Sequence, residues 1–201
     1  GMIANMHAHA LNAVSGTLLA GACSKTDSSA ERFCSEQGIR KFDSYEDMLA
    51  SSDIDAVSLC TPSGDHCRQI LQALDAGKHV VVEKPMCITL EECDQVIAKA
   101  AQTGLTVCVI SQHRFSDGIQ EIKRAIAAGE LGKIHSVQLT MHYFRPQSYY
   151  DSAAWRGTWA LDGGGVLMNQ GIHGVDMLCY LLGKAQSVTG FIATSGRKIE
   201  V

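Results

Sequence analysis

Gly77-Lys78-His79-Val80-Val81-Val82-Glu83-Lys84-Pro85 is the stretch on which the fold turns. Val80 to Val82 form a β-branched apolar run of the kind that fills a strand buried on both faces of a parallel sheet. The run stops at a carboxylate, an amine and a proline. In an open parallel sheet, ligands bind at the carboxyl ends of the strands, so an ammonium placed there can meet a substrate oxygen. The proline removes a backbone donor, locks φ and stiffens the backbone at Lys84. Taken alone, the three residues also read as a strand end carrying two solvated charges. The surrounding chain decides between the two.

Outward from this stretch, strands and helices alternate with short connections. Residues 1–14 read as a helix, 17–23 as a strand and 27–38 as a helix with Asp27 or Ser28 as cap and Gly38 as stop. A brief strand (39–42) and a short helix (44–50) follow, then a strand over 56–60 ending in Thr61-Pro62. Residues 66–76 form a helix closed by Gly77. After the valine strand, Thr89 and Glu92 stand at capping-box spacing ahead of a helix that Gly104 stops, and 105–110 is the next strand. This order predicts a doubly wound parallel sheet with helices on both faces. Beyond a helix over 117–128 the pattern changes. Residues 134–143 alternate apolar and polar, as a strand of a more open sheet does. An aromatic loop (145–160), a helix (169–182) and a strand (185–192) complete the chain. The boundary falls near Arg114 to Gly118, giving a first domain over 1–116 and the start of a second over 117–201.

Composition narrows the function. The chain has 201 residues, 46% of them hydrophobic, and a net charge of −4. No basic stripe with interleaved aromatics marks a nucleic-acid surface. No apolar run approaches the roughly 18 residues of a membrane span, and no secretory signal opens the chain. The eight cysteines make no CxxC pair and no Cys/His ligand cluster, so no metal is expected. A reduced, cytoplasmic protein is the expected setting.

Four places could carry chemistry. Gly1-Met2-Ile3-Ala4 reads as the end of a Gly-x-Gly-x-x-Ala turn, whose helix amides meet a pyrophosphate; the strand and first glycine of that fingerprint are not in the sequence. Ser24-Lys25 follows the predicted strand over 17–23, where a carboxylate would hold a ribose 2′-hydroxyl; a hydroxyl and an ammonium suit a 2′-phosphate better, although Asp27 is near enough to serve. Thr61-Pro62 with His66 lies at a strand end beside the expected ribose and nicotinamide, and His66 reads equally as the first residue of a surface helix. Finally, Gly163-Gly164-Gly165 lets backbone pass close to a ligand or another segment, and the helix after it sets Asn169, His173 and Asp176 about one turn apart. A carboxylate there can fix the imidazole tautomer and raise its pKa, the equipment of a general base. A helix-surface His paired with Asp is the plain alternative.

Together these segments resemble the Gfo/Idh/MocA family of sugar- and polyol-oxidising dehydrogenases, typified by glucose-fructose oxidoreductase and inositol 2-dehydrogenase. The segments that carry the resemblance are residues 1–11 with His7-Ala8, Thr61-Pro62 with His66, Ala76 through Pro85, Gln112-His113-Arg114-Phe115, Trp155-Arg156-Gly157, and Gly163 through Asp176. The resemblance implies a Rossmann-type doubly wound domain, followed by an incomplete α+β domain with a large open, mostly antiparallel sheet. It implies hydride transfer between a nicotinamide cofactor, NAD or NADP, and a secondary alcohol of a sugar, polyol or nucleotide-sugar. Lys84 then holds the reacting oxygen, His173 acts as acid/base and Asn169 completes the catalytic set. Gly1, Met2, Ile3, Ser24, Lys25, Thr61, Pro62, His66, Glu83, Lys84 and Gln112 line the cofactor. Lys84, Arg114, Trp155, Arg156, Asn169 and His173 face the substrate. The bond before Pro85 is expected to be cis, and the protein to be a homo-oligomer, dimer or tetramer. Inositol-type members carry Asp where this chain has Asn169, which weighs against inositol, and an amide there also occurs in members acting on nucleotide-linked amino sugars, which adds that class to the options. Relative to the family pattern the sequence looks truncated at both ends, and this sustains a second reading, a non-catalytic dinucleotide- or sugar-binding relative.

Overall fold

The computed structural model describes residues 1–194 and 196–201. The chain divides into two compact units. The first contains 1–61, 66–83 and 91–108; the second contains 62–65, 84–90 and 109–201.

The first unit alternates helix and strand: α1 (Met2–Ala13), β1 (Gly21–Ala22), α2 (Asp27–Gln37), β2 (Arg40–Lys41), α3 (Tyr45–Ala50), β3 (Ala56–Leu59), α4 (His66–Asp75), β4 (His79–Val82), α5 (Leu90–Thr103) and β5 (Val107–Val109). β1 pairs parallel with β2, and β3 parallel with β4 in the register Leu59↔Val82, with β5 on the far side of β4. The expected parallel α/β arrangement is therefore present, with shorter strands than the sequence suggests. Gly38 stops α2 in the left-handed region at φ 66°, a conformation that glycine reaches without steric cost. The capping expectation there needs correcting: Thr26, not Asp27 or Ser28, is the N-cap of α2, and Asp27 is spent on Lys41 Nζ at 2.6 Å.

The core sits between α4 and the β3–β4 pair. α4 buries Cys67, Ile70, Ala73 and Leu74 at helical spacing, against Val57 and Leu59 of β3 and Val80 and Val82 of β4. Each fully buried aliphatic side chain contributes about 2 kcal/mol of hydrophobic stabilisation. The valine run is not buried on both faces as its composition suggests. Val80 and Val82 are buried, Val81 is half-buried, and His79 is exposed. β-branched residues favour any pleated strand, so the composition alone does not reveal how well the second face is covered. His66 is also not a surface residue: it is 1% exposed, and its Nε2 lies 3.0 Å from the Thr61 carbonyl oxygen.

The second unit contains α6 (Asp117–Ala127), α7 (Gln147–Asp151), a π-helical turn over Leu167–Gly171 and α8 (Ile172–Leu182). The predicted helix over 169–182 therefore begins as a π turn. Residues 134–143 and 185–192, expected as strands, join no ladder among the described residues. A strand exists only where a neighbour accepts its hydrogen bonds, and alternation by itself supplies no neighbour. The alternation still has a structural use. A Cβ on buried Gly174 would stand 2.4 Å from Met141 Sδ and 2.6 Å from Leu139 Cδ2, so alternate residues of that segment pack onto α8. The triple glycine likewise receives other chain segments: Gly163 meets Ile88, and Gly165 meets Val201.

Gly64 offers a direct test of close packing. It donates its N–H to the Leu161 carbonyl at 3.0 Å, and a Cβ there would stand 2.2 Å from the Ala160 oxygen. Backbone cannot yield as a flexible side chain does. Gly64→Ala is expected to destabilise the protein by about 3 kcal/mol, measured by chemical denaturation.

Among the described residues no helix is long and apolar enough to cross a membrane.

Candidate active site

Lys84 follows the last residue of β4 by two positions and belongs to the second unit. Main-chain bonding continues one residue past the strand, with Glu83 N–H donating to Leu59 O at 3.0 Å. The Lys84–Pro85 bond that follows is cis, as the resemblance implied. The Lys84 ammonium donates to the main-chain carbonyl of Asn169 at 2.7 Å. That carbonyl lies in the π turn, where the repeat of the α-helical hydrogen bonds is interrupted and carbonyls become available to outside donors.

Within the second unit Lys84 and His173 line one cavity of about 200 Å³, together with Pro85, Ser111, Arg114 and Asp176. An amine and an imidazole nearly ninety positions apart in the chain thus share one small volume. His173 lies in the first turn of α8, and its ring meets the His113 ring edge-on at 4.8 Å between centroids.

Asp176 does not serve chiefly as the partner of His173. Its carboxylate takes a two-pronged guanidinium contact, with Arg114 Nε at 2.9 Å from Oδ2 and Nη2 on Oδ1. Paired donors on a planar fork match a carboxylate better than a single imidazole N–H can. Arg114 is the largest cause holding the Asp176 carboxyl below its ordinary range, with smaller contributions from Ser111 and His173. Asp176 is therefore a carboxylate at any working pH, a fixed negative charge one helical turn from the imidazole. A depressed folded-state pKa contributes stability that is present above the unfolded value and lost as pH falls through the folded one. Asp176→Asn is accordingly expected to cost about 2 kcal/mol at neutral pH, because one partner, Arg114, is 40% exposed. The gap from the unmodified protein should close below about pH 4. Thermal melts across that range check it.

The remaining predicted residues divide between the two units. In the first, α1 opens at Gly1 with no side-chain cap and no acidic residue in its first turn. Nothing lies within 4 Å of where a Gly1 Cβ would stand, Met2 is 78% exposed, and Ile3 is half-buried. Ser24 and Lys25 are exposed just after β1. Thr61 Oγ1 donates to Gln69 Oε1 at 2.6 Å, and Glu83 Oε1 lies 3.1 Å from His7 Nε2. In the second unit, Pro62 accepts from Asp65 N–H at 2.9 Å, and Gln112 is exposed at the start of a 3₁₀ turn. The Arg156 guanidinium stacks 4.1 Å from the Tyr149 ring centroid and 4.7 Å from that of Trp155. The Asn169 side chain does not line the Lys84–His173 cavity. It donates to Asp162 Oδ1 at 2.9 Å and accepts from Gln170 at 2.9 Å.

Sequence reasoning missed Asp162, Ser111 and His113. Asp162 is 3% exposed and accepts from both Gly157 N–H and the Asn169 amide, so it fixes the start of the π turn. A buried-facing carboxylate beside a glycine run was its only signal in the sequence. The Arg114–Asp176 pair spans sixty-two positions, and no local pattern announces it.

The Ser24-Lys25 turn after β1 is exposed, with a hydroxyl and an ammonium that suit a phosphate. The comparisons with known proteins supply the family. Residues 1–111 match the model of the oxidoreductase family with the NAD-binding Rossmann fold, and 119–201 match the GFO/IDH/MocA C-terminal domain. The chain belongs to the GFO/IDH/MocA oxidoreductase family. It is 34% identical to the NAD⁺-dependent scyllo-inositol 2-dehydrogenase of Bacillus subtilis over 80% of this chain and 45% of that one. It is 30% identical to the glucose-6-phosphate 3-dehydrogenase of the same organism over 90% of this chain and 51% of that one. Among solved structures it resembles the WlbA dehydrogenase of Chromobacterium violaceum in complex with NADH and UDP-GlcNAcA, with a TM-score of 0.95 and 39% identity over 100% of this chain and 58% of that one. The Bordetella pertussis WlbA complex with the same two ligands is 37% identical, with the same TM-score and coverage. The chain therefore spans about half the length of the relatives it matches.

Proposed function

We propose that this protein is an NAD(P)-dependent dehydrogenase acting on a secondary alcohol of a sugar derivative, with a nucleotide-linked amino sugar acid as the favoured substrate class. The observation that carries the reading is the sharing of one cavity by the Lys84 ammonium and the His173 imidazole. A bound nicotinamide supplies the two-electron acceptor for the alcohol carbon. His173 takes the hydroxyl proton. Lys84 answers the negative charge that grows on the same oxygen, an interaction stronger in the transition state than in the ground state and therefore catalytic. Asn169 belongs to the catalytic set through its carbonyl, which fixes the ammonium. Arg114, held by Asp176, places a cation at the cavity wall.

Two features favour an anionic, nucleotide-linked substrate over a plain polyol. Arg145 and Arg156, both in the second unit, each bury an Nε that has no hydrogen-bond partner, and both guanidiniums stack on Tyr149. Stacked guanidiniums with unspent donors suit a carboxylate or phosphate. The amide at Asn169 and the ligand of the two WlbA complexes point the same way. On this reading 1–116 binds the dinucleotide, and 117–201 contributes to the substrate and oligomer surfaces of a homo-oligomer, dimer or tetramer.

The experiment is a fluorescence titration with NADH and NADPH separately, followed by turnover with a panel of polyols, sugar phosphates and UDP-linked sugar acids. Turnover confined to the UDP-linked acids supports the substrate class. Cofactor binding with no oxidation across the panel removes the catalytic reading.

A further inference from the structure

His7, on the second turn of α1, belongs to no part of the proposed chemistry, yet both of its ring nitrogens are engaged. Its Nδ1 lies 2.6 Å from Ser58 Oγ on β3, and its Nε2 lies 3.1 Å from Glu83 Oε1, one residue past β4. The His7 side chain is 13% exposed and that of Glu83 is 15% exposed. A neutral ring protonated at Nε2 donates to Glu83 and accepts from the Ser58 hydroxyl, whereas an imidazolium donates to both. Hydrogen bonding with Cys60 and then with Glu83 pushes the His7 pKa up to about 10, against an opposing effect of burial. Ser58, Cys60 and Glu83 are the polar groups that face the ring from the β3 and β4 ends.

We propose that His7 is a positioning residue that ties the cofactor-binding helix α1, through Ser58 and Glu83, to the carboxyl ends of β3 and β4. The inference rests on the dinucleotide reading of the first unit. The start of α1, where the pyrophosphate amides stand, is little more than one turn from His7, and the clamp fixes it relative to the strand ends that the rest of the cofactor would meet. The ion pair supplies a directional contact between α1 and the end of β4, beside the packing of buried Ala8.

The pH dependence follows in sign. Between the ordinary histidine value, about 6.5, and about 10, the folded protein holds a proton on His7 that the unfolded chain has lost. The stabilisation is therefore fully present below the lower value and fades as pH rises through the upper one.

The test compares the intact protein with His7→Gln, which keeps one neutral donor, and with Glu83→Gln. Without cofactor, the melting temperature of the unmodified protein should exceed that of His7→Gln by several degrees at pH 6.5, and the gap should close toward pH 10. With NADH followed by fluorescence at pH 7.5, both variants should bind roughly tenfold more weakly, the loss expected for one misaligned charge-assisted contact. A melting gap that is constant across pH would make His7 an ordinary packing residue and overturn the proposal. So would unchanged NADH affinity in both variants. An unmodified protein that binds neither NADH nor NADPH would remove the positioning role together with the dinucleotide reading, and the cofactor-free melts would still report the ion pair separately.

Discussion

Lys84→Met is expected to lower kcat about a thousandfold and to leave NADH affinity within about twofold of the unmodified value. The methionine keeps most of the apolar stem of lysine and removes the charge together with its N–H donors. In the unmodified protein the ammonium is anchored by the Asn169 carbonyl at 2.7 Å and stands in the cavity wall beside His173. An ammonium aimed where an alkoxide develops stabilises the transition state and does little for the bound alcohol. The loss should therefore fall on kcat, with KM for the sugar little changed. Steady-state kinetics beside a cofactor titration distinguish this outcome from a folding defect. Equal loss of cofactor binding and turnover would mean that the lysine has a structural role.

His173→Ala is the second large effect, a fall in kcat of about a hundredfold to ten-thousandfold, the usual range for removing a positioned general base. The pH profile carries the sharper information. The unmodified enzyme should lose activity on the acid side as the imidazole takes a proton, and the variant should have no such limb. Asp176→Asn should move that limb toward lower pH, because the fixed carboxylate one turn away stabilises imidazolium. His113→Ala should leave the limb in place, since the His113 ring meets His173 edge-on at 4.8 Å and replaces no part of its proton transfer. A profile without an acid limb in the unmodified protein would remove His173 from the base role.

The legible and illegible parts of this sequence differ for a physical reason. Glycine stops, helix periodicity and the valine strand with its charged end are local signals, and the elements from α1 to β5 came out near their expected places. The meeting of Lys84 and His173 was expected from the family resemblance, since neither a strand end nor a helix start by itself distinguishes a reactive group from a solvated one. What failed was non-local. The fork between Arg114 and Asp176 replaced the expected Asp176–His173 pair, since a helix predicts which residues share its face and not which outside cation arrives there. Residues 134–143 alternate correctly and still join no ladder among the described residues, because alternation encodes a face and hydrogen-bond partners encode a strand. Asn169 was singled out for its amide, yet the atom that reaches Lys84 is its main-chain oxygen, which every residue type carries.

That last feature separates two jobs within one residue. Because the acceptor for the Lys84 ammonium is peptide oxygen, a codon change at position 169 leaves that acceptor in place, provided the π turn persists. The side chain answers to other partners, Asp162 and Gln170, so drift at this position is limited by the fit to a buried carboxylate rather than by the lysine.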